Sequence, residues 1–301
     1  MPSPSLRNGS DPTADPAGTT GAARTMTLSL ETPGGTIAYR RLGPAVGRPL
    51  VLLNRFRGTM DDWDPAFLDR VAAHREVVVF DNLGVARSGG AAPATLRGWA
   101  KNVATFIHGL GYDLVDVLGF SFGGLVAQEL TLAEPNLVRR LLIVGSGAGH
   151  VDGWNVNPEA ISVATKPVNS DEDFLVLFFR DTPASQAAGR AYLARLRERP
   201  DAFAALVNEP AWKAMLAASS NVGTPETSLL KRSGAIRQPV LIANGIEDIM
   251  IPTYQSYALA QVVPNARLVL YPDSGHGFLF QYPEHFGDEV VRFLEDEDSP
   301  T

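Results

Sequence analysis

The chain alternates between short apolar runs and longer amphipathic stretches over most of its length. Wholly apolar runs such as residues 50–53 are typical of strands buried on both faces of a sheet. The stretches between such runs repeat apolar residues at helical spacing, as Trp63, Phe67 and Val71 do. The pattern predicts strands at residues 26–30, 36–41, 50–53, 76–80, 114–118, 138–144, 240–244 and 267–271, and helices at residues 63–73, 96–110, 122–134, 254–263 and 283–294.

This order of elements predicts an α/β fold. Strands that alternate with helices indicate a mostly parallel central sheet with helices on both faces. The alternation stops over residues 147–235, where mainly helices are predicted. We therefore predict a core formed by residues 25–146 and 236–297, with residues 147–235 as a helical cap over the carboxyl ends of the strands. The cap helices are predicted at residues 171–180, 185–199 and 211–218.

Composition narrows the possible classes of function. The chain has a net charge of -7 and no dense run of Lys and Arg, which argues against a nucleic acid as partner. It contains no cysteine, which excludes disulfides, thiol nucleophiles and cysteine-ligated metals. No apolar run approaches the ~18 residues of a membrane span, so we expect a cytoplasmic protein without membrane contact. Residues 1–24 lack both periodicity and an apolar signal region, and we expect a disordered leader there.

The strongest chemical motif is Gly119-Phe120-Ser121-Phe122-Gly123. It follows an apolar strand and precedes a helix-forming segment, which is the setting of a nucleophile elbow. The glycines leave room for a sharp turn, and the helix start directs backbone N–H groups toward the serine. An ordinary Gly/Ser turn is the alternative, but it requires neither the strand nor the helix. The sequence therefore predicts Ser121 as a nucleophile.

A serine nucleophile needs a base and an orienting acid. His276 lies in a glycine-flanked turn directly after a predicted strand, where groups face the crevice of an α/β sheet. Asp248 follows another strand in a Gly-x-x-Asp turn, with Glu247 as its neighbouring competitor. In an extended loop Glu247 points the opposite way, so we predict Asp248 as the acid.

The order Ser121, Asp248, His276 and the turns around these residues resemble the α/β-hydrolase fold superfamily. The resemblance covers about residues 26–296, and in detail it is to bacterial esterases, enol-lactonases and cofactor-free haloperoxidases. It implies cofactor-free transfer of an acyl group from a small ester or lactone to water, through an acyl-enzyme. Two alternatives stay open: the same triad using peroxide, and a non-catalytic ligand-binding receptor on the same fold. The oligomeric state also stays open.

One stretch departs from the superfamily pattern. Asn54-Arg55-Phe56 stands where a His-Gly-x tripeptide is usual. By position, the resemblance implies that the backbone N–H groups of Phe56 and Phe122 are the oxyanion-hole donors. We expect Phe56 to turn toward the crevice. Arg55 and Arg57 are then expected to turn away and pair with acids at the surface, although an arginine in the crevice would select a substrate carboxylate. The candidate acids are Asp61, Asp62 and Asp81.

Aromatic residues of the cap are candidates for the substrate pocket, because the inner face of a cap forms the roof of the site. Each of them alone is more typical of the core of a cap. No H-E-x-x-H or comparable spacing is present, so we predict no metal site. The candidate pocket residues are Trp154, Phe178, Phe179 and Trp212.

Overall fold

An eight-stranded sheet lies at the centre of the part of the chain that the computed structural model describes, which is residues 21–153 and 157–296. The strands are β1 (Leu28–Thr32), β2 (Gly35–Leu42), β3 (Leu50–Leu53), β4 (Val77–Phe80), β5 (Val115–Phe120), β6 (Val138–Val144), β7 (Val240–Gly245) and β8 (Ala266–Tyr271). Their order across the sheet is β1-β2-β4-β3-β5-β6-β7-β8. Strand β2 pairs antiparallel with both β1 and β4, and the other neighbours are parallel.

Helices cover both faces of this sheet. They are α1 (Pro65–Ala72), α2 (Leu96–Gly109), α3 (Phe122–Ala133), α4 (Pro158–Ala164), α5 (Asp171–Phe178), α6 (Pro183–Leu196), α7 (Glu209–Ser220), α8 (Leu230–Ser233), α9 (Thr253–Val262), α10 (Phe278–Gln281) and α11 (Pro283–Glu295). One buried cluster joins the sheet to α1 and α11, and a second joins it to α2, α3 and α9. The predicted α/β class and mostly parallel sheet are therefore confirmed.

The parallel strands are buried because their sequences are almost wholly apolar. Every residue of β3, β4, β5 and β7 is buried, and these strands carry apolar side chains on both faces. The charged residue of these four strands is Asp116 in β5, which is fully buried but forms ion pairs with Arg75 and Arg139. A charge at such a position needs these partners because its hydration is lost. Strand β8 lies at the edge of the sheet and is only partly buried.

The region between β6 and β7 is helical, with α4 to α8 in its described part, and we use the name cap for these helices and the segments that join them. The sequence predicted α5, α6 and α7 but not α4 or α8, which are short.

A disordered leader was predicted at residues 1–24, and its residues 1–20 lie outside the described residues. Its last part differs from the expectation: residues 22–24 form a 3-10 turn, and the buried Ala22 N–H donates to Asp69 Oδ1 at 2.7 Å. Within the described residues, no helix has the length and apolar character to cross a membrane.

Asp81 is a buried carboxyl at the carboxyl end of β4. It accepts hydrogen bonds from the Met60 N–H at 2.8 Å and the Arg87 N–H at 3.2 Å. Burial raises the pKa of Asp81 to about 6, because the two backbone donors offset only part of the lost hydration. The folded protein therefore holds this proton more tightly than the unfolded chain does.

We expect Asp81→Asn to change how stability depends on pH. Because the folded pKa is raised from 3.8 to about 6, ionisation of Asp81 lowers the free energy of unfolding as pH rises through that window. The variant lacks this loss, so its stability relative to the wild type should rise between pH 4 and pH 7 by up to about 3 kcal/mol. Urea unfolding at several pH values measures the difference. The exposed Asp113→Asn is the control, and a constant offset between Asp81→Asn and wild type would contradict the prediction.

Candidate active site

Ser121 occupies the turn between β5 and α3. Its φ of 55° and ψ of -117° are rare for a residue with a side chain. Backbone hydrogen bonds hold the turn on both sides. The Ser121 N–H donates to Val144 O at 2.8 Å, and the Gly124 N–H donates to Ser121 O at 2.9 Å. Ser146 Oγ also donates to Ser121 O, at 2.7 Å. The strained conformation is thus fixed by neighbouring elements, as in a nucleophile elbow.

The two glycines of the motif are required by close backbone contacts. A Cβ on Gly119 would lie 2.3 Å from Gly123 O, and a Cβ on Gly123 would lie 2.2 Å from Leu53 O. Neither contact could be relieved by a side-chain rotation, because the opposing atoms belong to the backbone. The glycines therefore allow α3 to start directly beneath the carboxyl end of β3.

Asp248 and His276 are in direct contact. His276 Nδ1 lies 2.7 Å from Asp248 Oδ2, and both side chains are buried. The other oxygen, Asp248 Oδ1, accepts the N–H groups of Met250 and Ile251 at 2.8 and 2.9 Å. The carboxylate is therefore held in one orientation, and the imidazole with it. Glu247 instead is exposed and lies 3.4 Å from the Arg180 guanidinium.

The second ring nitrogen of His276 is available for chemistry. Nε2 is buried and has no hydrogen-bond partner among the described residues. The ring is enclosed by the ring of Phe120, whose centroid is 5.0 Å away, and by that of Phe178 at 5.3 Å. Phe120 directly precedes Ser121, so the elbow and the imidazole share one enclosed region. A buried imidazole with Nδ1 on a carboxylate and Nε2 free has the arrangement of a general base.

The segment after β3 forms a tight turn next to this region. Asn54 is fixed by its side chain, which donates to Phe80 O at 2.8 Å and accepts from Trp63 Nε1 at 2.7 Å. The backbone N–H groups of Phe56 and Phe122 have no acceptor among the described residues. Two unoccupied donors near the elbow are what an oxyanion hole requires.

Arg55 does not lie at the surface, which corrects the expectation from the sequence. Its side chain is buried, and its Nη2 donates to Asp62 Oδ1 at 2.5 Å. The guanidinium stands 5.0 Å from the Phe174 ring and 5.2 Å from the Phe178 ring. The expected kind of partner was right, because Asp62 is one of the three candidate acids. The expected position was wrong, because the pair is enclosed by the cap and does not lie at the surface.

Arg57 also departs from the expectation, because it pairs with no acid among the described residues. It donates to the carbonyl oxygens of Ala164, the last residue of α4, and of Lys166 and Pro167, which follow that helix. Its guanidinium lies 5.4 Å from the Trp212 ring. The predicted outward direction assumed an extended loop. The loop is a turn instead, since the Gly58 N–H donates to Arg55 O at 3.0 Å and Arg57 has a φ of 54°.

The four aromatic residues predicted to line the substrate pocket differ in their distance from the candidate active site. Phe178 contacts His276, and its carbonyl accepts the Gly277 N–H at 2.7 Å, so the cap rests on the histidine turn. Trp212 packs edge-on against Phe56 with ring centroids 6.4 Å apart. The Phe179 ring lies 6.1 Å from the Tyr192 ring, and its tip would be 3.3 Å from a Cβ on Gly277 in the histidine turn. Trp154 lies outside the described residues.

The sequence analysis missed Ser146, whose hydroxyl supports the Ser121 carbonyl. The only signal was its place in a glycine-rich stretch directly after β6, the strand that neighbours β5. A Cβ on Gly124 would lie 2.5 Å from Ser146 Cβ, so the second glycine after Phe122 makes room for this contact. A contact between residues that follow two different strands depends on which strands are neighbours in the sheet. The sequence of one strand alone does not predict it.

Comparison with known proteins agrees with this architecture. The family model described as alpha/beta hydrolase fold matches residues 48–283. An alpha/beta hydrolase fold protein from Chitinophaga pinensis is 35% identical, with a TM-score of 0.85, and the match covers 92% of this chain and 100% of that one. A 2-hydroxymuconate semialdehyde hydrolase of Pseudomonas putida is 29% identical over 67% of this chain and 69% of its own. A protein of Azorhizobium caulinodans that carries the name carbamate hydrolase RutD is 28% identical over 82% of this chain and 91% of its own.

We expect Asp248→Asn to slow reaction of the site with a fluorophosphonate by about 10³- to 10⁴-fold, because an amide favours the wrong imidazole tautomer. Time courses of covalent labelling, read by intact mass, measure the rate. Glu247→Gln is the matched control, one residue away and exposed, and should label at the wild-type rate. Slow labelling of Glu247→Gln with normal labelling of Asp248→Asn would move the orienting acid to Glu247.

Proposed function

Because this chain belongs to the α/β hydrolase fold family, we propose that it is a serine hydrolase that cleaves a carboxylic ester or lactone of a small molecule. One observation carries the proposal. The buried His276 keeps Nδ1 at 2.7 Å from Asp248 and leaves Nε2 without a partner among the described residues, in the region of the elbow serine. A purely structural histidine would be expected to use both ring nitrogens when buried.

In the proposed reaction His276 Nε2 takes the proton of Ser121 Oγ while that oxygen attacks the carbonyl carbon. The imidazolium is stabilised by Asp248, which keeps its own negative charge. The leaving alcohol receives the proton from His276, and an acyl-enzyme remains on Ser121. Water then gives its proton to His276 as it attacks the acyl carbon. His276 returns that proton to Ser121 Oγ as the acid leaves, which restores both residues.

The negative charge that develops on the substrate carbonyl oxygen needs fixed donors. We assign this role to the backbone N–H groups of Phe56 and Phe122, which have no other acceptor in the described structure. The rings of Phe178 and Phe120 exclude water around His276. Hydrogen bonds to the oxyanion are stronger in such an enclosure than in water, because the local dielectric constant is low.

The experiment is covalent labelling combined with turnover. A fluorophosphonate should modify Ser121, as identified by peptide mapping, and Ser121→Ala should lose both labelling and at least about a thousandfold of kcat/KM for a short p-nitrophenyl ester. The variant should unfold at the wild-type temperature, since it removes one hydroxyl. Ser220→Ala, at an exposed serine of α7, is the control and should keep both activities.

Two outcomes would overturn the proposal. Normal turnover by Ser121→Ala would exclude the serine mechanism. Labelling of Ser121 without turnover of any ester or lactone would favour the receptor alternative, because an activated serine does not by itself establish catalysis.

A further inference from the structure

Strand β8 forms one edge of the sheet, and three of its residues direct their backbone groups away from the sheet. The Val240 N–H donates to Asn265 O at 2.9 Å, and the Ile246 N–H donates to Tyr271 O at 3.0 Å. Because successive residues of a strand point their backbone groups to opposite sides, every second residue of β8 faces β7. The N–H and C=O groups between them face outward and have no partner among the described residues. The outward-facing residues are Ala266, Leu268 and Leu270.

The free edge of β8 lacks the features that usually prevent an edge strand from pairing, which are a lysine, a proline or a bulge. The strand Ala266–Tyr271 contains no Lys or Pro and pairs with β7 without a shift of register. Its charged residue, Arg267, forms ion pairs with two acids in and just after α11. Its exposed residue, Leu270, is apolar, whereas the exposed residues of β1 at the other edge are Ser29 and Glu31. The edge of β8 is therefore open to another strand.

Apolar side chains surround this open edge on the side of α9. Leu268 packs with the buried cluster that includes residues of α9, so Leu270 points to the same side by strand alternation. Leu270 is 41% exposed, and Ile246, directly after β7, is 45% exposed. Helix α9 presents Tyr254 and Tyr257, which are 50% and 51% exposed and stack with ring centroids 6.4 Å apart. Exposed apolar groups that lie together mark an interaction surface.

The two ends of β8 carry opposite charges. Near the start of the strand, Asn265 Nδ2 donates to Arg237 O at 2.8 Å, and the exposed Arg237 side chain has no acid partner among the described residues. Just beyond the end of the strand, Asp273 and Glu247 lie 2.9 and 3.4 Å from Arg180, so two acids share one cation. An antiparallel pair of β8 strands places each positive end beside a negative end, whereas a parallel pair brings like charges together.

We propose that β8 pairs antiparallel with β8 of a second copy of this chain, so that two eight-stranded sheets join across a two-fold axis. With Leu268 opposite Leu268 of the second copy, Ala266 lies opposite Leu270 of that copy. Three residues of each strand, each with one donor and one acceptor, then form six hydrogen bonds. The hydrogen bonds and the end charges both match the strand to its own sequence, and a two-fold interface is self-complementary in this way. The inference is independent of the proposed function.

The molar mass in solution tests the dimer. Light scattering during size-exclusion chromatography should give the mass of two chains, and sedimentation should give a Kd in the micromolar range or below. Leu270→Lys should raise this Kd at least about tenfold, because it places a charge in the apolar contact and a lysine on the edge. The variant should keep the wild-type circular dichroism spectrum, since Leu270 is partly exposed.

Val168→Lys is the matched control for this measurement. Val168 is an apolar residue of the cap that is 80% exposed and lies outside the proposed interface, so the variant should keep the wild-type Kd. A wild type that stays monomeric up to hundred-micromolar concentration would overturn the proposal. A dimer whose Kd does not change in Leu270→Lys would assign the contact to another surface and would also overturn it.

Cysteine cross-linking tests the register of the pair. The chain contains no cysteine, so an introduced thiol is the only one. Leu268→Cys should form a dimer by oxidation, because opposing Cα atoms of a hydrogen-bonded pair lie about 5.5 Å apart and a disulfide spans roughly 4.4–6.8 Å. Ala266→Cys is the control and should not react with itself, since its two copies lie four residues apart along the strands, about 14 Å. A mixture of Ala266→Cys and Leu270→Cys should cross-link, because these positions are opposite each other.

Each cysteine variant is also treated with a short bismaleimide, so that the result does not depend on disulfide geometry alone. Cross-linking of Ala266→Cys to itself as fast as Leu268→Cys would overturn the proposed register. A dimer that cross-links at none of the three positions would show that the β8 strands do not face each other, and would overturn the pairing. No measurement in this set uses turnover, so failure of the hydrolase proposal would leave these results unchanged.

Discussion

The positive φ of Ser121 is the constraint on which the rest of the site depends. A side-chain residue held in such a sparsely populated conformation costs on the order of 1–3 kcal/mol, so the neighbouring elements must hold it. They do so through β6, whose carboxyl end accepts the Ser121 N–H, and through Ser146, which donates to the Ser121 carbonyl. Gly123 brings the start of α3 against Leu53 O at the end of β3. The same contact that permits the elbow therefore also fixes where the turn with Phe56 begins.

Most of the core could be predicted because its signals are local. A wholly apolar run such as β3 or β7 specifies a buried strand, and the strand–glycine–serine–helix order specifies the elbow. The turn after β3 could not be predicted, because alternation of side chains applies to extended backbone and this segment is a turn closed by Gly58 and by the left-handed Arg57. The side that Arg55 faces was decided by Asp62 and by the cap rings. Those contacts exist only once distant segments have packed.

The two arginines of this turn differ in how their charges are compensated. Arg55 is buried beside Asp62, whose second oxygen accepts the Thr59 N–H at 2.7 Å, so both charges are matched within the turn. Among the described residues, Arg57 meets carbonyl dipoles and the Trp212 ring, which carry no net charge, and no acid. A buried pair is locally neutral, whereas a cation among carbonyls keeps its attraction for an anion. Identical side chains two positions apart thus differ in their partners: an acid of the same turn compensates Arg55, whereas carbonyl groups of a distant segment hold Arg57.

The turn also joins the cap to the candidate active site. Arg57 holds the chain after α4, its N–H donates to Met215 Sδ at 3.3 Å in α7, and Phe56 packs on Trp212 in the same helix. Since Phe56 stands between two residues that contact the cap, displacement of α4 or α7 must move the peptide that carries the proposed oxyanion donor. Phe178, the last residue of α5, contacts the His276 ring as well. The cap therefore contacts both the peptide that carries the proposed oxyanion donor and the imidazole of the same site.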